Sequence, residues 1–344
     1  MNNSVLKQYF PVLRTRQEAL QEISRNPRLA AMFKSWEKHR QEEFLNFCSG
    51  ARGCKVLYDS FFKQVMNPEK NPERLEHFLS LLLKKEVRIL QVLPNESRMT
   101  AEASLLIMDI IVKMEDGSIA DVEMQKIGYA FPGQRSSCYS ADLLLRQYQR
   151  VKTDMAARKE TFSYRYIKDV YTIVLFEKSP SECKEFPDSY IHHGYVRFDT
   201  GLNVHMPQEF IYVPLDIFRR ILQNRGITDN LDAWLTFLCE DDPEMIDLLI
   251  RNFPYFKPLY DDVYKLCENM EDIMSYYSDA LQEMDRNTVQ YMIEEQQDKI
   301  EEQQTMLEEK QKAIEELEEE RERDKARIAE LEKQIAGGCY DQDI

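Results

Sequence analysis

Glycine is scarce in this 344-residue chain: none of the 10 glycines belongs to a GxGxxG or GxxxxGK motif. The common dinucleotide-binding and P-loop sites are therefore excluded. The 5 histidines include no HExxH spacing, and the 7 cysteines include no CxxC pair, so zinc-protease and zinc-knuckle motifs are also missing. An odd, scattered set of cysteines is typical of a reducing compartment.

Long apolar runs are missing as well. No stretch approaches the ~18 apolar residues that a membrane span needs. The first ten residues, MNNSVLKQYF, contain no apolar signal core. We therefore expect a soluble, cytoplasmic protein with no membrane partner. With 43% apolar residues, the chain can bury a sizeable core without disulfides or metals.

Negative charge is concentrated near the C-terminal end. The chain has 45 basic and 61 acidic residues, a formal net charge of −16. Residues 285–336 hold 17 acids and 9 bases, and Asp341 and Asp343 follow them, which leaves a net charge of −6 for the other 284 residues. The acidity thus does not exclude a nucleic-acid-binding surface elsewhere.

The hydrophobic pattern predicts helices towards both ends of the chain and a sheet in the middle. Helical spacing covers residues 5–48, 55–66, 72–84, 133–150 and 215–284. Short β-branched or alternating segments predict strands at 87–94, 104–114, 119–127, 169–177, 195–199 and 210–214. The sequence therefore predicts an α/β fold.

Residues 285–336 carry a heptad pattern. One column repeats an aliphatic residue every seven positions, with Arg321 as an interruption: Ile293, Ile300, Leu307, Ile314, Ile328 and Ile335. The second column has only Leu317 and Leu331 among polar residues. We predict a weak coiled coil that joins copies of the chain into a homo-oligomer, and a solvated single helix is the alternative.

Two acidic residues stand out in the predicted strands. Asp109 interrupts an apolar run, where an ionised carboxylate is costly unless it is paired, and Glu123 lies on the next strand. A two-residue turn between them would put the acids on opposite faces. A three-residue loop, 115–117, with glycine in the left-handed position would pair 109 with 123. Gln125 would then share their face.

Paired in this way, the two carboxylates would have Cβ atoms about 4.5–5.5 Å apart. Because they repel each other, either one takes up a proton or a divalent cation lies between them. Oxygen ligands favour Mg²⁺ or Mn²⁺, which can activate water beside a phosphoryl group. The alternative is that an arginine or a lysine satisfies the pair in a structural network.

The order of these pieces resembles the PD-(D/E)XK nuclease superfamily. The central pieces are Asp109, the Asp-Gly turn, Glu123-Met124-Gln125, and a helix with Arg135 and Tyr139. The flanking segments resemble, more narrowly, the recombination-promoting nuclease and transposase family over roughly 55–297: YDSFFKQV, FLSLLL, VYTIVLFE and DRNTVQYMIEEQQ. The resemblance implies a restriction-endonuclease-like mixed sheet flanked by helices, and a metal-dependent endonuclease that acts on DNA.

The resemblance also implies residue roles. Asp109 and Glu123 would hold Mg²⁺ or Mn²⁺, with the backbone carbonyl of Met124 as a further ligand. Gln125 stands where the superfamily usually has lysine, although the narrower family commonly has glutamine. A neutral amide can orient the attacking water, but it leaves the cationic role unassigned. Arg135 would contact the scissile phosphate.

The superfamily also has an acid on a helix, and this chain offers several candidates for it. Glu76 is preferred, and Glu73 and Asp59 compete with it. Glu96 and Glu102, just before the predicted strand, are further possibilities.

A DNA surface needs cations, and they are dense after the predicted site helix. Residues 146–168, named here the basic segment, hold seven cations against two acids, with interleaved tyrosines. We predict DNA contacts by Arg135, Arg146, Arg150 and Lys152. A solvated helix end is the alternative. No helix-turn-helix or zinc-finger signature predicts base-specific readout.

These interpretations divide the chain into five parts: an N-terminal helical segment (1–50), a nuclease-like core (51–215), a helical region (216–284), the coiled coil (285–336) and a tail (337–344). The leading hypothesis is a Mg²⁺-dependent endodeoxyribonuclease that hydrolyses phosphodiester bonds. The alternative is a catalytically degenerate nuclease fold that serves as a DNA-binding or oligomeric interaction module. A purely structural coiled-coil adaptor is a third hypothesis.

Overall fold

The structure is a computed structural model that describes residues 5–57, 59–94, 109–126, 131–265 and 268–338. The first part of the predicted strand 104–114, together with Glu96 and Glu102, lies outside the described residues. A short 3₁₀ helix covers Val5–Gln8, and another covers Tyr164–Tyr166.

The α-helices and β-strands of the described residues are as follows. The helices are α1 (Arg16–Arg25), α2 (Pro27–Ser35), α3 (Lys38–Cys48), α4 (Asp59–Val65), α5 (Pro72–Leu83), α6 (Pro132–Ala157), α7 (Ser181–Lys184), α8 (Leu215–Arg225), α9 (Asn230–Cys239), α10 (Pro243–Asn252), α11 (Phe256–Lys265) and α12 (Met270–Gly338). The strands are β1 (Ile89–Leu93), β2 (Ile110–Met114), β3 (Ile119–Gln125), β4 (Val170–Phe176), β5 (His192–Tyr195) and β6 (Gln208–Pro214).

Local sequence explains several helix boundaries. Thr15 and Glu18 form a capping box at the start of α1, because each side chain accepts a hydrogen bond from the other residue's backbone N–H. Asn26 caps α2, and Pro27 occupies its first turn, where a missing N–H costs nothing. Proline also starts α5, α6 and α10.

The six strands form one mixed sheet in the order β1-β2-β3-β4-β6-β5. Strands β1, β2 and β3 are antiparallel, β3, β4 and β6 are parallel, and β5 is antiparallel to β6. Helix α6 makes the crossover between β3 and β4 that a parallel pair requires. The predicted α/β class, with a mixed sheet flanked by helices, is confirmed.

The two faces of the sheet pack against different helices. On one face, alternate residues such as Val112 and Val122 belong to a large hydrophobic cluster. The other members of this cluster include residues of helices that come before and after the strands in the sequence, from Leu6 to Leu281. The other face carries a smaller cluster in which Ile111 and Ile119 pack against Tyr139 of α6. Successive side chains of β3 point to opposite faces of the sheet, so its odd-numbered residues lie on the face that α6 covers. The candidate site residues of β3 are odd-numbered and therefore lie on this face.

One strand prediction is wrong in part. The segment 195–199 is not a strand beyond Tyr195: β5 covers His192–Tyr195, and its residues pair with 209–212 of β6. Val196 and Phe198 lie in the following loop with exposed side chains. Their β-branched and aromatic character predicted a strand, but no neighbouring segment pairs with them in the described chain.

The chain divides into two compact units, Met1–Thr288 and Val289–Ile344. In the second unit, the described side chains of the first heptad column are 46–65% exposed. Within the described residues, no helix combines the length and the apolar character that crossing a bilayer requires.

Candidate functional site

The turn between β2 and β3 is the three-residue loop that the sequence predicts. The N–H of Met114 donates to the carbonyl of Ser118 at 2.9 Å, and the N–H of Gly117 donates to Met114 at 3.0 Å. Gly117 has φ +90°, in the left-handed region. The register pairs Ile110 with Val122, so the next step places Asp109 opposite Glu123.

Asp109 and Glu123, named here the acid pair, bind each other's backbone. The N–H of Asp109 donates to Glu123 Oε1 at 3.0 Å, and the N–H of Met124 donates to Asp109 Oδ2 at 2.7 Å. Glu123 is only 4% exposed. The two carboxylates are therefore held at one end of the hairpin, on adjacent strands, by reciprocal hydrogen bonds.

Lys63 forms an ion pair with Asp109. Its Nζ lies 3.1 Å from Asp109 Oδ1. The lysine comes from α4, where Phe61 and Phe62 are buried in the main core and fix the helix. Sequence reasoning did not assign this residue a role. The contact is of the kind that the alternative interpretation predicts, in which a lysine satisfies an acid of the pair.

Asp121 is a third acid on the same face, which sequence reasoning also missed. It is completely buried and lies opposite Ile111 on β2 and Thr172 on β4. Neither carboxyl oxygen accepts a hydrogen bond from a donor group of the described residues. The signal was present: in the alternating segment 119–127, residue 121 has the same parity as 123 and 125.

Burial and mutual repulsion shape the electrostatics of these acids. Burial, followed by the charge of Asp109, raises the pKa of Glu123 to about 8. Burial and the charges of Glu123 and Asp109 raise the pKa of Asp121 well above its ordinary value. Asp121 and Glu123 interact through their side chains, and two carboxyl groups can share a hydrogen bond only while one is protonated. Ionisation of Asp121 and Glu123 together is therefore unfavourable.

Gln125 lies on the predicted face, two residues beyond Glu123. Its side chain is buried, and both amide atoms are without a hydrogen-bond partner among the described residues. Its backbone carbonyl accepts a hydrogen bond from the N–H of Glu177 at 2.8 Å, which fixes the strand end. The side chain thus lies on the face of Glu123, and no described residue uses its amide as a hydrogen-bond partner.

Arg135 and Tyr139 lie near the start of α6. The guanidinium carbon of Arg135 is 5.5 Å from the centre of the Tyr139 ring. The positive charge of Arg135 lowers the pKa of Glu123, against the larger effect of burial. Burial raises the pKa of Tyr139. The first turns of α6 therefore bring a cation towards Glu123.

Glu76, the preferred helix-borne acid, does not join the acid pair. Its Oε1 accepts the backbone N–H of Ile89 at 2.7 Å, and its Oε2 lies 3.4 Å from Arg88. Ile89 pairs with Met114, five residues along β2 from Asp109, or about 16 Å. Glu76 therefore anchors the start of β1, and its position gives no support to a role at the pair.

The other helix-borne candidates add little. Glu73 lies in the first turn of α5, and its charge adds to the effect of burial in raising the pKa of Tyr255. The side chain of Asp59 and both residues before the strand, Glu96 and Glu102, are outside the described part of the chain.

Arg146 is not a free cation of the basic segment. Its Nε lies 2.6 Å from Asp142 Oδ2, and its side chain also donates to the carbonyl of Pro94 at 2.6 Å. The side chain is mostly buried, so the structure gives no support to the predicted DNA contact. Arg150 is half-buried, while Lys152 is exposed with its Nζ 5.8 Å from the Tyr148 ring.

Gln147 and Lys168 of the basic segment lie at the turn, at the other end of the hairpin from the acid pair. The N–H of Lys168 donates to Gln147 Oε1 at 2.7 Å, and Gln147 Nε2 donates to the carbonyl of Gly117 at 3.4 Å. Along β3, the turn is about 17 Å from Glu123. These two residues are therefore distant from the acid pair, whereas the charge of Arg146 acts on Asp121.

Asp109, but not Glu123, lines a groove of about 500 Å³. Lys63 and Asp109 line it together with the last residues of β1 and the turn that follows α4: Gln91, Val92, Leu93, Pro94, Asn67, Pro68 and Glu69. Among these described lining residues, Lys63 carries the only positive charge.

A family model described as PD-(D/E)XK nuclease family transposase matches residues 56–295. The chain belongs to this family. No curated protein and no solved structure matches the chain. The matched residues of the PD-(D/E)XK family member include α4, the β2–β3 hairpin and α6, and so every residue of the site described above.

The donor set suits the divalent ion that PD-(D/E)XK nucleases typically use. No group of three or more His, Cys, Asp or Glu side chains in the described chain is arranged to hold a metal ion. The acid pair nevertheless supplies two carboxylates, and all of its donors are oxygen, as Mg²⁺ and Mn²⁺ prefer. The raised pKa of Glu123 means that added positive charge would stabilise its ionised form.

Proposed function

We propose that this PD-(D/E)XK family member is a Mg²⁺- or Mn²⁺-dependent endodeoxyribonuclease. The observation that supports the proposal is the acid pair: the register of the β2–β3 hairpin brings Asp109 and Glu123 together at one end. The family match makes phosphodiester hydrolysis the chemistry expected of such a pair.

Asp109 and Glu123 would hold the ion, with the backbone carbonyl of Met124 as a further ligand. When bound, the ion supplies Lewis-acid stabilisation of phosphoryl charge and activates water. The reciprocal backbone hydrogen bonds hold both carboxylates in place beforehand. This preorganisation lowers the reorganisation that ion binding requires.

Gln125 and Arg135 would act on the substrate and the water. The amide of Gln125 has no hydrogen-bond partner among the described residues. Its oxygen can accept a hydrogen bond from water while its NH₂ group donates one to a phosphate oxygen. Arg135, in the first turn of α6, would bind the scissile phosphate through its guanidinium group.

Contacts with DNA away from the cut would come from the basic segment. Lys152, Arg158, Lys159, Arg165 and Lys168 are exposed. Tyr148, Phe162 and Tyr164 pack together beside them, with ring centres 5.0–6.3 Å apart. Such cations bind the phosphate backbone without reading sequence.

The test is nicking of supercoiled plasmid with Mg²⁺ or Mn²⁺ by the full-length protein and by Asp109→Asn and Glu123→Gln variants. Each variant should lose activity by at least about 100-fold, since each removes a charged ligand. Glu115→Gln, which changes an exposed acid at the turn of the same hairpin, is the matched control. Activity that survives in both site variants at the control's level would refute these roles.

A catalytically degenerate DNA-binding module is the second candidate. The neutral Gln125 and the ammonium group already on Asp109 favour it. Calorimetry with Mn²⁺ separates the two functions: a degenerate module binds DNA but takes up no ion that depends on Asp109 and Glu123. Ion uptake that both site variants abolish favours the nuclease.

We also propose that the heptad column in α12 joins copies of the chain into a homo-oligomer. Aliphatic side chains at seven-residue spacing are exposed along it: Ile293, Ile300, Leu307, Ile314 and Ile328. Light scattering should give a larger mass for the wild type than for an Ile300→Lys, Leu307→Lys variant. Thr305→Lys, off the column, is the control and should assemble normally. Equal masses for all three proteins would favour the single helix.

A further inference from the structure

We propose that Lys63 supplies positive charge to this site in two steps. Its ammonium group neutralises Asp109 before an ion binds. When the ion binds Asp109, the ammonium group leaves the carboxylate and pairs with the substrate phosphate. The inference deepens the proposed function and rests on it. It starts from the oxygen atoms of the acid pair and what each of them contacts.

Three of the contacts at the pair bear on how an ion could enter. Asp109 Oδ2 accepts the N–H of Met124 at 2.7 Å, and Glu123 Oε1 accepts the N–H of Asp109 at 3.0 Å. Asp109 Oδ1 faces Lys63 Nζ at 3.1 Å. The two N–H groups belong to the backbone of the hairpin and cannot leave. The ammonium group is the one of the three that can move, so an ion that takes Oδ1 must exchange with it.

The position of α4 decides where Lys63 goes after this exchange. Phe61, Phe62 and Val65 are buried in the main core and hold the helix, so the lysine backbone stays where it is. The side chain is 34% exposed and lines the groove beside Asp109. A displaced ammonium group therefore remains in this groove, where an entering phosphate would need a counter-charge.

The other side chains near the hairpin do not fill this role. Arg146, whose charge acts on Asp121, already pairs with Asp142 and donates to the carbonyl of Pro94. Gln125 is neutral, and Lys126 is buried, with its charge acting on Glu177 at the end of β4. Arg135 approaches Glu123 from α6, on the side of the Tyr139 ring, and does not line the groove. Lys63 therefore contributes, from a helix early in the chain, the positive charge that Gln125 does not carry.

The test compares Lys63→Gln with a matched control, Lys85→Gln. Lys85 also pairs with an aspartate of the hairpin, Asp116, at 2.9 Å, and it is 31% exposed. It lies at the turn, away from the acid pair. Mn²⁺ affinity is measured by calorimetry on the full-length protein without DNA, and cleavage is measured separately on plasmid.

Lys63→Gln should bind Mn²⁺ about 3- to 10-fold more tightly, because the ion no longer competes with a partly exposed ion pair. The same variant should cleave at least about 100-fold more slowly. Lys63→Arg keeps a cation on Asp109, so it should bind Mn²⁺ no more tightly than the wild type. Lys85→Gln should match the wild type in both measurements.

Unchanged Mn²⁺ affinity in Lys63→Gln would overturn the inference, whatever the cleavage rate. Wild-type cleavage by Lys63→Gln would also overturn it while leaving the nuclease function intact. If the wild type cleaves nothing, the proposed function fails, and the calorimetry still decides whether Lys63 exchanges with the ion. Circular dichroism confirms folding, and Lys63→Met replaces the glutamine variant if that one does not fold.

Discussion

Replacing Glu123 by glutamine should abolish activity and stabilise the protein. The glutamine keeps Oε1 as the acceptor for the N–H of Asp109. Its new NH₂ group can donate to Asp121, whose oxygens have no donor among the described residues. The variant also removes a carboxyl group whose ionisation in the folded protein is costly.

The sign and size of the effect follow from the pKa of Glu123. An acid whose folded pKa is raised from 4.5 to about 8 costs no stability well below pH 4.5, and its cost then grows until the pH passes about 8. The cost of the shift is about 1 kcal/mol at pH 5 and about 4 kcal/mol at pH 8, as upper limits. The advantage of Glu123→Gln should therefore increase with pH.

The assay is urea unfolding of the wild type and Glu123→Gln at pH 5 and pH 8, with a chelator present so that no divalent ion contributes. The difference in free energy of unfolding should rise by about 3 kcal/mol between the two pH values. Glu115→Gln, at the exposed turn, should show no such rise. A difference that stays constant from pH 5 to pH 8 would refute the argument that buried charge strains this site.

Three further outcomes are expected. Gly117→Ala should lower the free energy of unfolding by about 1 kcal/mol in urea, because φ is +90° at that position. Glu76→Ala should cost about 1–2 kcal/mol by leaving the N–H of Ile89 without its acceptor, yet calorimetry should give unchanged Mn²⁺ affinity. Lys152→Gln should weaken DNA binding and reduce the slope of log binding constant against log salt concentration by about 1. Arg146→Gln should instead lower the urea midpoint of unfolding, because Arg146 pairs with Asp142 and donates to the carbonyl of Pro94.

The sequence predicted the hairpin well because local rules decide it. An Asp-Gly turn, an alternating strand and an apolar strand leave few registers, and the glycine conformation selects among them. The pairing of 109 with 123 and the shared face of Gln125 were therefore predictable. The face of Asp121 was predictable by the same parity, but its complete burial depends on the neighbouring strand β4 and on α6, which the local pattern does not reveal.

Contacts between distant segments were less predictable. Lys63 reaches Asp109 from 46 residues earlier in the chain, and no local pattern encodes that distance. Glu76 was chosen for its place on a helix, but the packing of α5 turned it towards Ile89. Arg146 has the charge of a DNA contact, but Asp142, one helical turn away, already pairs with it. The positions of these three side chains are set by tertiary packing, which composition does not reveal.

Helix α6 has a consequence for substrate length. It carries Arg135 in its first turn and Lys152 in its last turns, and 17 residues of helix separate them by about 26 Å. Consecutive phosphates of one strand are spaced by about 3.4 Å along the duplex axis. If both residues bind DNA, their separation corresponds to about eight base pairs along the duplex. A shorter duplex could then contact only one of the two residues at a time.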